Sequence, residues 1–470
     1  MKLRTVPSSW FEKEGRRLDC GPYLSGAIEA KVLLEKLPVK KALLCEVTKE
    51  GSGGIFHAGR EGRTYLNDPA YGVSFLGSTD ILAADLSWLP FISKKQVERN
   101  PLFTIQEGWT LITRSGTIGR MAYARPEMAG MACSEHVMRV VPDPDKVLPG
   151  YLFAYLSSRF GVPIIMSGTY GAIIQHIEPS HIADLPVPLP HNSFQEAIHN
   201  LINKSAQLRT DANNEISAVG DRLLERTSIK PMKGREVSST GVSVLSSVKM
   251  GLRFDATYHS EVALEAESLV SAASVKVKTL LEVCERMFKP SMFKRLWVDD
   301  SQYGRQFISG QDAYKWASSD CRFVSLRTPN FDDYLLKRGW LVFQAAGQTY
   351  GLFGRPLFVY GWLENLFCAD DIYRVIPRNE VDGAYMYAWL RTPHGRALLV
   401  RQACGYSIPR VWDPHVSKVL IPWPDELVRE EIAQIVIQAH EALEKARLLE
   451  RKAVAQVEDW ILSETKDKVS

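Results

Sequence analysis

Cysteine is sparse in this 470-residue chain: seven residues, scattered, with no CxxC pair and no Cys/His spacing suited to a metal. That pattern excludes a disulfide framework and structural zinc, and it points to a reduced, cytoplasmic protein. Long apolar runs are lacking too. No stretch approaches the ~18 apolar residues that span a bilayer. Met1 to Gly15 has no apolar signal segment, so no membrane association is expected. Charge of one sign hardly accumulates. A formal net charge of +3 neither demands nor forbids a polyanionic partner, because a local basic stripe survives inside a neutral sum. Common catalytic signatures are missing as well: there is no G-x-x-x-x-G-K-[ST] phosphate loop, no H-E-x-x-H and no kinase set. Carboxylates clustered with a lysine, as a metal-dependent nuclease needs, are not found.

Apolar residues make up 45% and charged residues 24%, ordinary globular values that exclude wholesale disorder. The length suffices for two or three domains with cores of their own. The dominant signal is an internal echo. Arg17-Leu18-Asp19 returns as Arg253-Phe254-Asp255, and Gly108-Trp109 as Gly339-Trp340. The run from Cys133 through Glu135, Val137, Arg139 and Val140 to Pro142 returns from Cys368 through Asp370, Ile372, Arg374 and Val375 to Pro377. Tyr151 to Leu156 returns as Tyr385 to Leu390, and His181, Pro188 and Pro190 fall on His415, Pro422 and Pro424. The offset barely moves: 108 to 339 is 231, 133 to 368 is 235, and 181 to 415 is 234. A unit this long means two domains of one fold, since solenoid repeats run about 20–50 residues. Cys133 and Cys368 read as small buried residues, and His181 and His415, without a nearby carboxylate or second ligand, as structural.

Each copy has the same internal order. An amphipathic helix (Ile28, Val32, Leu33 and Leu37 in the first copy) opens it. Strand-like runs such as Trp109 to Thr113 and Trp340 to Phe343 follow, broken by glycine turns. Next come a helix rich in aromatic residues, 150–160 or 383–391, and a proline-spaced strip, Leu185 to Pro190 or Ile421 to Pro424. Prolines at that density end regular structure and stiffen the path. A long helix closes each copy. Leu201, Leu208, Ile216 and Leu223 in the first, and Ile435, Leu449 and Val457 in the second, lie on narrow stripes held for about four heptads, the mark of a coiled-coil seam. The expected architecture is α+β. It comprises a first domain over 1–190, its helix over 191–228, a linker over 229–250, a second domain over 251–424 and its helix over 425–470, with the two helices paired antiparallel.

In this order the chain resembles the specificity (S) subunit of type I restriction–modification systems, whose two target-recognition domains are each followed by a spacer helix. The resemblance rests on several features of the first copy. Trp109-Thr110-Leu111-Ile112-Thr113-Arg114-Ser115-Gly116-Thr117-Ile118-Gly119-Arg120 is similar to the family's strand and S-G-T-x-G turn. Gly168-Thr169-Tyr170-Gly171, the proline strip, and Glu196 with Ile198 opening the helix complete the set. The likeness runs over nearly the whole chain. Departures are the order Gln195-Glu196, and Arg429-Glu430 in copy two, where the family has Glu-Gln. Copy two also loses the Arg-Ser pair in Gln344-Ala345-Ala346-Gly347-Gln348-Thr349-Tyr350-Gly351. A relative in another phage-defence system fits as well.

The resemblance implies a non-catalytic subunit that reads an asymmetric bipartite sequence in double-stranded DNA. Modification subunits, two of them, bring S-adenosylmethionine and methylate adenine, and restriction or effector subunits join. No cofactor is expected on this chain. The residues support such a reading on physical grounds. Glycines at 116, 119, 347 and 351 let backbone N–H groups approach phosphates. Arg114 and Arg120, with Ser115 and Thr117, flank the first turn; an arginine forks onto guanine or grips a phosphate. Gln344 and Gln348, with Tyr350, take those places in copy two, and glutamine pairs with adenine. A second loop offers Tyr170, Gln175 and His176, matched by Tyr406 and Arg410, for stacking and phosphate contact. The spacer helices, about 30 residues at 1.5 Å rise, make a ruler of roughly 45 Å against a DNA turn of about 34–36 Å. Two alternatives stand beside this. One is a scaffold with degenerate recognition domains. The other is an autonomous DNA-modifying enzyme, suggested by Asp68-Pro69-Ala70-Tyr71, which is similar to the Asn/Asp-Pro-Pro-Tyr signature of amino-methyltransferases. That segment has Ala at its third position, no counterpart in copy two and no glycine-rich strand before it, so it reads as a turn.

Overall fold

Short β-branched and aromatic runs separated by glycine or proline turns give strands of only two to six residues, and each copy carries ten of them. The computed structural model describes residues 4–13, 21–116, 118–167, 176–233, 253–317, 322–349, 351–405 and 407–466. The chain forms two units, 1–210 with 445–470, and 211–444.

The first unit has helix α1 (Ala27–Lys36) and strands β1 (Lys41–Leu43), β2 (Ile55–Phe56), β3 (Tyr65–Leu66), β4 (Gly72–Leu76), β5 (Phe91–Ser93), β6 (Thr110–Thr113), β7 (Met121–Tyr123), β8 (Ala132–Cys133), β9 (Val137–Val140) and β10 (Pro186–Pro188). Among its other helices are α2 (Pro149–Leu156) and α3 (Asn192–Thr227), the latter continuing beyond residue 210 into the second unit. The strands form a pair β1-β10 and two four-stranded sheets, β2-β9-β6-β7 and β3-β5-β4-β8. Pairing is antiparallel except for β4 with β8, where Phe75 and Leu76 run beside Ala132 and Cys133.

The second unit repeats this strand for strand. It has α4 (Glu261–Ser271), β11 (Val277–Thr279), β12 (Cys284–Phe288), β13 (Trp297–Val298), β14 (Gly304–Ile308), β15 (Phe323–Ser325), β16 (Leu341–Gln344), β17 (Pro356–Phe358), β18 (Phe367–Cys368), β19 (Ile372–Pro377), α5 (Glu380–Arg391), β20 (Leu420–Pro422) and α6 (Glu426–Lys466). Its sheets are β11-β20, β12-β19-β16-β17 and β13-β15-β14-β18, and the parallel pair recurs between β14 and β18.

The repeated residues have packing reasons. Tyr151 Oη donates to the Pro188 carbonyl at 2.7 Å and Tyr385 Oη to that of Pro422 at 2.6 Å. One turn on, Tyr155 Oη donates to Pro186 O and Trp389 Nε1 to Leu420 O. The aromatic helix therefore clamps the proline strip in both units. The strip itself differs from expectation: it is a strand, because Leu189 N donates to Lys40 O and Trp423 N to Lys276 O between the prolines. Arg139 is wholly buried, its guanidinium donating to the carbonyls of Ser134, Val137, Phe103 and Cys133. Arg374 does the same with Ala369, Ile372 and Cys368. Cys133 and Cys368 are fully buried beside them.

The long helices serve both units. In the first, Ile198, Ile202 and Ala206 share a core with Ala453, Val457 and Ile461, Phe194 lies 5.3 Å from Trp460, and Ser205 Oγ donates to Ala446 O at 2.7 Å. In the second, Ala212, Ile216, Val219 and Leu223 pack with Ile432, Ala433, Val436 and Ala439, and Glu431 accepts from Arg222 and Arg226. Rising numbers on α3 meet falling numbers on α6, so the pairing within each unit is antiparallel. The seam is not placed as the stripe suggested. Ile216, Leu223 and Val457 are buried, but Leu201, Leu208, Ile435 and Leu449 are only half-buried. At the level of Leu208 the buried residue is Arg209, 3.8 Å from Glu450. Each helix also packs on its domain, which turns the buried face about one residue away from a pure coiled-coil seam.

Candidate nucleic-acid interface

In the first unit β6 ends at Thr113, and the chain then pairs across to the second expected loop through a bridge between Ser115 and His176. Arg114 turns inward. It is 8% exposed, with Nε donating to Ile177 O at 2.9 Å, Nη1 to Glu135 O at 3.3 Å, and Nη2 to Glu178. Arg114 thus positions the turn and its guanidinium is committed to the chain, contrary to the expected reader role. Ser115 Oγ lies 2.7 Å from His136 Nδ1, and His136 Nε2 lies 3.4 Å from Glu135. Arg63 reaches Glu135 at 2.5 Å and Ser134 Oγ at 3.2 Å. His57 Nε2 stands 3.4 Å from Glu178. Burial and the nearby Arg114 hold the His57 pKa below its ordinary value, against the pull of Glu178. Burial pushes the Glu135 carboxyl up, but the hydrogen bond and charge of Arg63, a backbone hydrogen bond and the neighbouring His136 together outweigh it and hold the carboxyl below its usual range. His57, Arg63, Arg114, Glu135, His136 and Glu178 line a cleft of about 660 Å³ together with His176, Arg60, Glu61, Gly62 and Tyr65.

The second unit builds the same frame. Ala346 bridges Arg410 as Ser115 bridges His176. Ala345 N donates to Asp371 O and Val411 N to Ala345 O, matching Arg114 N to His136 O and Ile177 N to Arg114 O. These bonds, with the matched strand pairs Phe56–Arg139 and Phe288–Arg374, fix the correspondence of the two units around this frame. His57 stands where the second unit has Lys289, Ser115 where it has Ala346, His136 where it has Asp371, His176 where it has Arg410, and Glu178 where it has Trp412. Burial and the neighbouring Asp370 push the Asp371 carboxyl up. The frame is common and the lining is not.

The remaining expected residues fall as follows. Arg120 is half-buried, its N–H donating to Thr113 Oγ1 at 2.9 Å. Gln344 is half-buried at the end of β16, and its N–H donates to the Tyr314 hydroxyl. Gln348 is exposed and its Nε2 donates to Ser407 O at 3.0 Å. Arg410 is exposed. Thr117, Tyr170, Gln175, Tyr350 and Tyr406 lie outside the described residues. Of the four glycines expected to present N–H groups, Gly119, Gly347 and Gly351 donate theirs to Thr113, Pro409 and Gln348. Gly116 is exposed at φ 74° with no atom near its missing Cβ. His181 Nδ1 accepts from Glu178 N, and His415 Nδ1 lies 3.3 Å from Cys404 Sγ, both structural contacts. Asp68 Oδ1 accepts from Ala70 N and caps a short 3-10 turn. The second unit does have its counterpart: Asp300 Oδ1 accepts from Gln302 N ahead of Tyr303. A motif built twice as a cap is a turn in both places.

The sequence reading missed His57, Arg63, Glu135, His136 and Glu178. A signal existed for two of them, since Glu135 and His136 lie inside the aligned Cys133-to-Pro142 segment. The others sit on loops whose approach to the cleft is decided by sheet packing. Among the described residues there is no group of His, Cys, Asp and Glu that could hold a metal and no helix long and apolar enough to cross a membrane.

Residues 44–218 match the sequence model of the type I restriction modification DNA specificity domain. Over that stretch the chain is similar to a type I DNA specificity domain. The match begins just after β1 and ends within α3, so it takes in β2 to β10, the cleft and most of the long helix. The chain is also similar to three solved structures. One is the S subunit of a type I restriction–modification system from M. genitalium, at 11% identity over 91% of this chain and 96% of that one, with a TM-score of 0.35. Another is the HsdS subunit from Thermoanaerobacter tengcongensis, at 13% identity over 92% and 96%, with a TM-score of 0.27. The third is a chain from work on complex assembly and conformational transition of the type I R-M system, at 12% identity over 91% and 97%, TM-score 0.27. No curated protein matches the sequence.

Proposed function

We propose that this chain is the DNA sequence-recognition subunit of a type I-like restriction–modification or phage-defence complex, reading an asymmetric bipartite target with one specificity domain per half-site. One observation carries the reading: the two units repeat strand order, pairing sense, buried arginine and the backbone frame that borders the first unit's cleft, yet they present different side chains at matched positions of that frame. A duplicated frame with diverged polar lining is what reading two different short sequences requires, because base edges are discriminated by the donors and acceptors set against them. In the first cleft His136, His176 and Gly116 face that task; in the second, Asp371, Arg410 and Gln348.

The chain supplies recognition and no chemistry of its own. Modification subunits, two for a duplicated chain, bring S-adenosylmethionine and methylate adenine, and restriction or effector subunits join them in the cytoplasm. The decisive experiment maps methylated motifs genome-wide with and without the gene. Loss of one split, asymmetric motif is expected; an unchanged methylome overturns the proposal. Saturable binding of S-adenosylmethionine by the purified chain alone would instead favour an autonomous enzyme.

A further inference from the structure

The duplication provides a comparison inside one molecule. Buried positions agree between the units because the core demands it. Exposed positions have no such reason, and most of the cleft lining differs. Three exposed pairs nevertheless agree in kind. Tyr71 and Tyr303 are 70% and 61% exposed, each at the end of an Asp-capped 3-10 turn and just before the glycine that opens β4 or β14. Tyr65 and Trp297 are 54% and 40% exposed, each on the edge strand of the same sheet. Their rings meet Phe75 and Phe307 edge-on at 6.1 and 5.4 Å, and the exposed Arg322 lies over the Trp297 ring at 4.2 Å. Lys95 and Arg327 are exposed cations two residues beyond β5 and β15.

The supports are duplicated with them. Arg63 lies over the Phe75 ring at 5.0 Å and Arg295 over Phe307 at 5.1 Å. The turn is tied to the following strand's exit in both: Lys94 Nζ donates to Ala70 O at 2.9 Å, and Leu326 N to Tyr303 O at 2.9 Å. Gly72 and Gly304 press on Phe91 and Phe323 so closely that a Cβ would stand 2.5 and 2.9 Å from theirs. Tyrosine, aromatic edge and cation are therefore held in one arrangement at two places. The surface is basic where the second unit carries it: among the described residues of 284–327, exposed cations outnumber exposed carboxylates seven to three.

We infer that these three pairs grip the sugar–phosphate backbone of DNA, identically at each half-site, while the diverged cleft residues meet the bases. The inference rests on the DNA-reading proposal above. Its logic is that the two half-sites differ in bases and share their backbone, so contacts kept in both units address what is shared. The chemistry fits: a tyrosine hydroxyl donates to a phosphate oxygen, a lysine or arginine neutralises it, and an aromatic face packs on deoxyribose.

The test uses the chain in complex with its modification subunits. Two duplexes are compared by fluorescence anisotropy across a salt series, one carrying the mapped motif and one with that motif scrambled. The K95A/R327A double variant should weaken binding to both duplexes by the same factor and flatten the log–log salt slope by about 2, one phosphate per site. Y71A/Y303A should weaken both equally, by roughly tenfold, and leave the methylated motif unchanged. A changed ratio between the duplexes would mean that these residues read bases, and unchanged affinity for both would mean no contact; either overturns the inference. So does a complex that falls apart on purification, which would make this face a protein-docking surface. If the unaltered complex does not prefer the motif duplex, the DNA-reading proposal fails first and takes this inference with it.

Discussion

Arg139 and Arg374 occupy one place in two domains and spend their guanidinium groups on backbone carbonyls. They satisfy the exits of the parallel strand β8 or β18, which antiparallel neighbours alone leave unmet, and the planar fork is what lysine cannot imitate. The carboxyls beside them have diverged in character as well as identity. Glu135 is held low by Arg63, so its share of stability is present above the ordinary glutamate range and lost as pH falls through its depressed pKa. Asp371 is pushed up by burial and Asp370, and among the described residues its Oδ1 is buried without a hydrogen-bond partner. Its ionisation costs stability at neutral pH, and that cost disappears as pH falls through its raised pKa. Asp371→Asn should therefore stabilise the second unit by about 1 kcal/mol at pH 7, the scale of one uncompensated buried polar group. The corresponding rise in Tm is roughly 2–4 °C. Thermal unfolding at pH 7 and pH 4 checks this, with the gain shrinking at the lower pH.

The long helices show how an element is decided by what it packs against. A stripe read as a seam predicts that Leu208 lies at its centre, whereas Leu208 is half-buried and Ser205, Arg209, Thr210 and Asn213 are buried there beside Ala206 and Ala212. The middle of α3 is polar on its covered side, and apolar burial is concentrated at Ile198 and Ile202 and again from Ala212 to Leu223. Ile202→Asp should cost about 4 kcal/mol or more, since it places a carboxylate among Ala453, Val457 and Ile461. Leu208→Asp should cost about 1 kcal/mol and leave partner subunits bound. Chemical denaturation and co-purification of the two variants measure the contrast, and equal losses would restore Leu208 to the seam.

At the scale of the whole molecule, α3 and α6 each give one half to the first unit and the other half to the second. The first unit is thus built from two stretches of chain and the second from one, 211–444, and each draws its last core layer from both long helices. The cleft of the first unit is nevertheless lined by first-unit residues alone, so the proposed reading by each unit is separable. Replacing His136 by Asp and His176 by Arg, the second unit's own residues, should alter one half of the methylated motif and leave the other half intact. Methylation mapping reads this directly; a change in both halves would show that the clefts do not act independently.

Duplication, strand-and-turn content, the aromatic helix and the two long helices were all legible in the sequence, since each leaves a periodic or repeated trace along the chain. Burial of Cys133 and Cys368 was legible for the same reason, as a small residue kept in matching β-rich segments. Sequence order carries no record of which loops meet across sheets. That Ser115 would pair with His176, that Arg114 would be consumed by Glu178, and that Arg63 would arrive at Glu135 from 72 residues away depend on how two four-stranded sheets pack. Periodicity fixes which face of a helix is apolar only when one partner covers it, and α3 has two partners, its own domain and α6. The fold was written in local pattern; the cleft and the true seam were settled by tertiary packing, where several weak local preferences compete for the same buried volume.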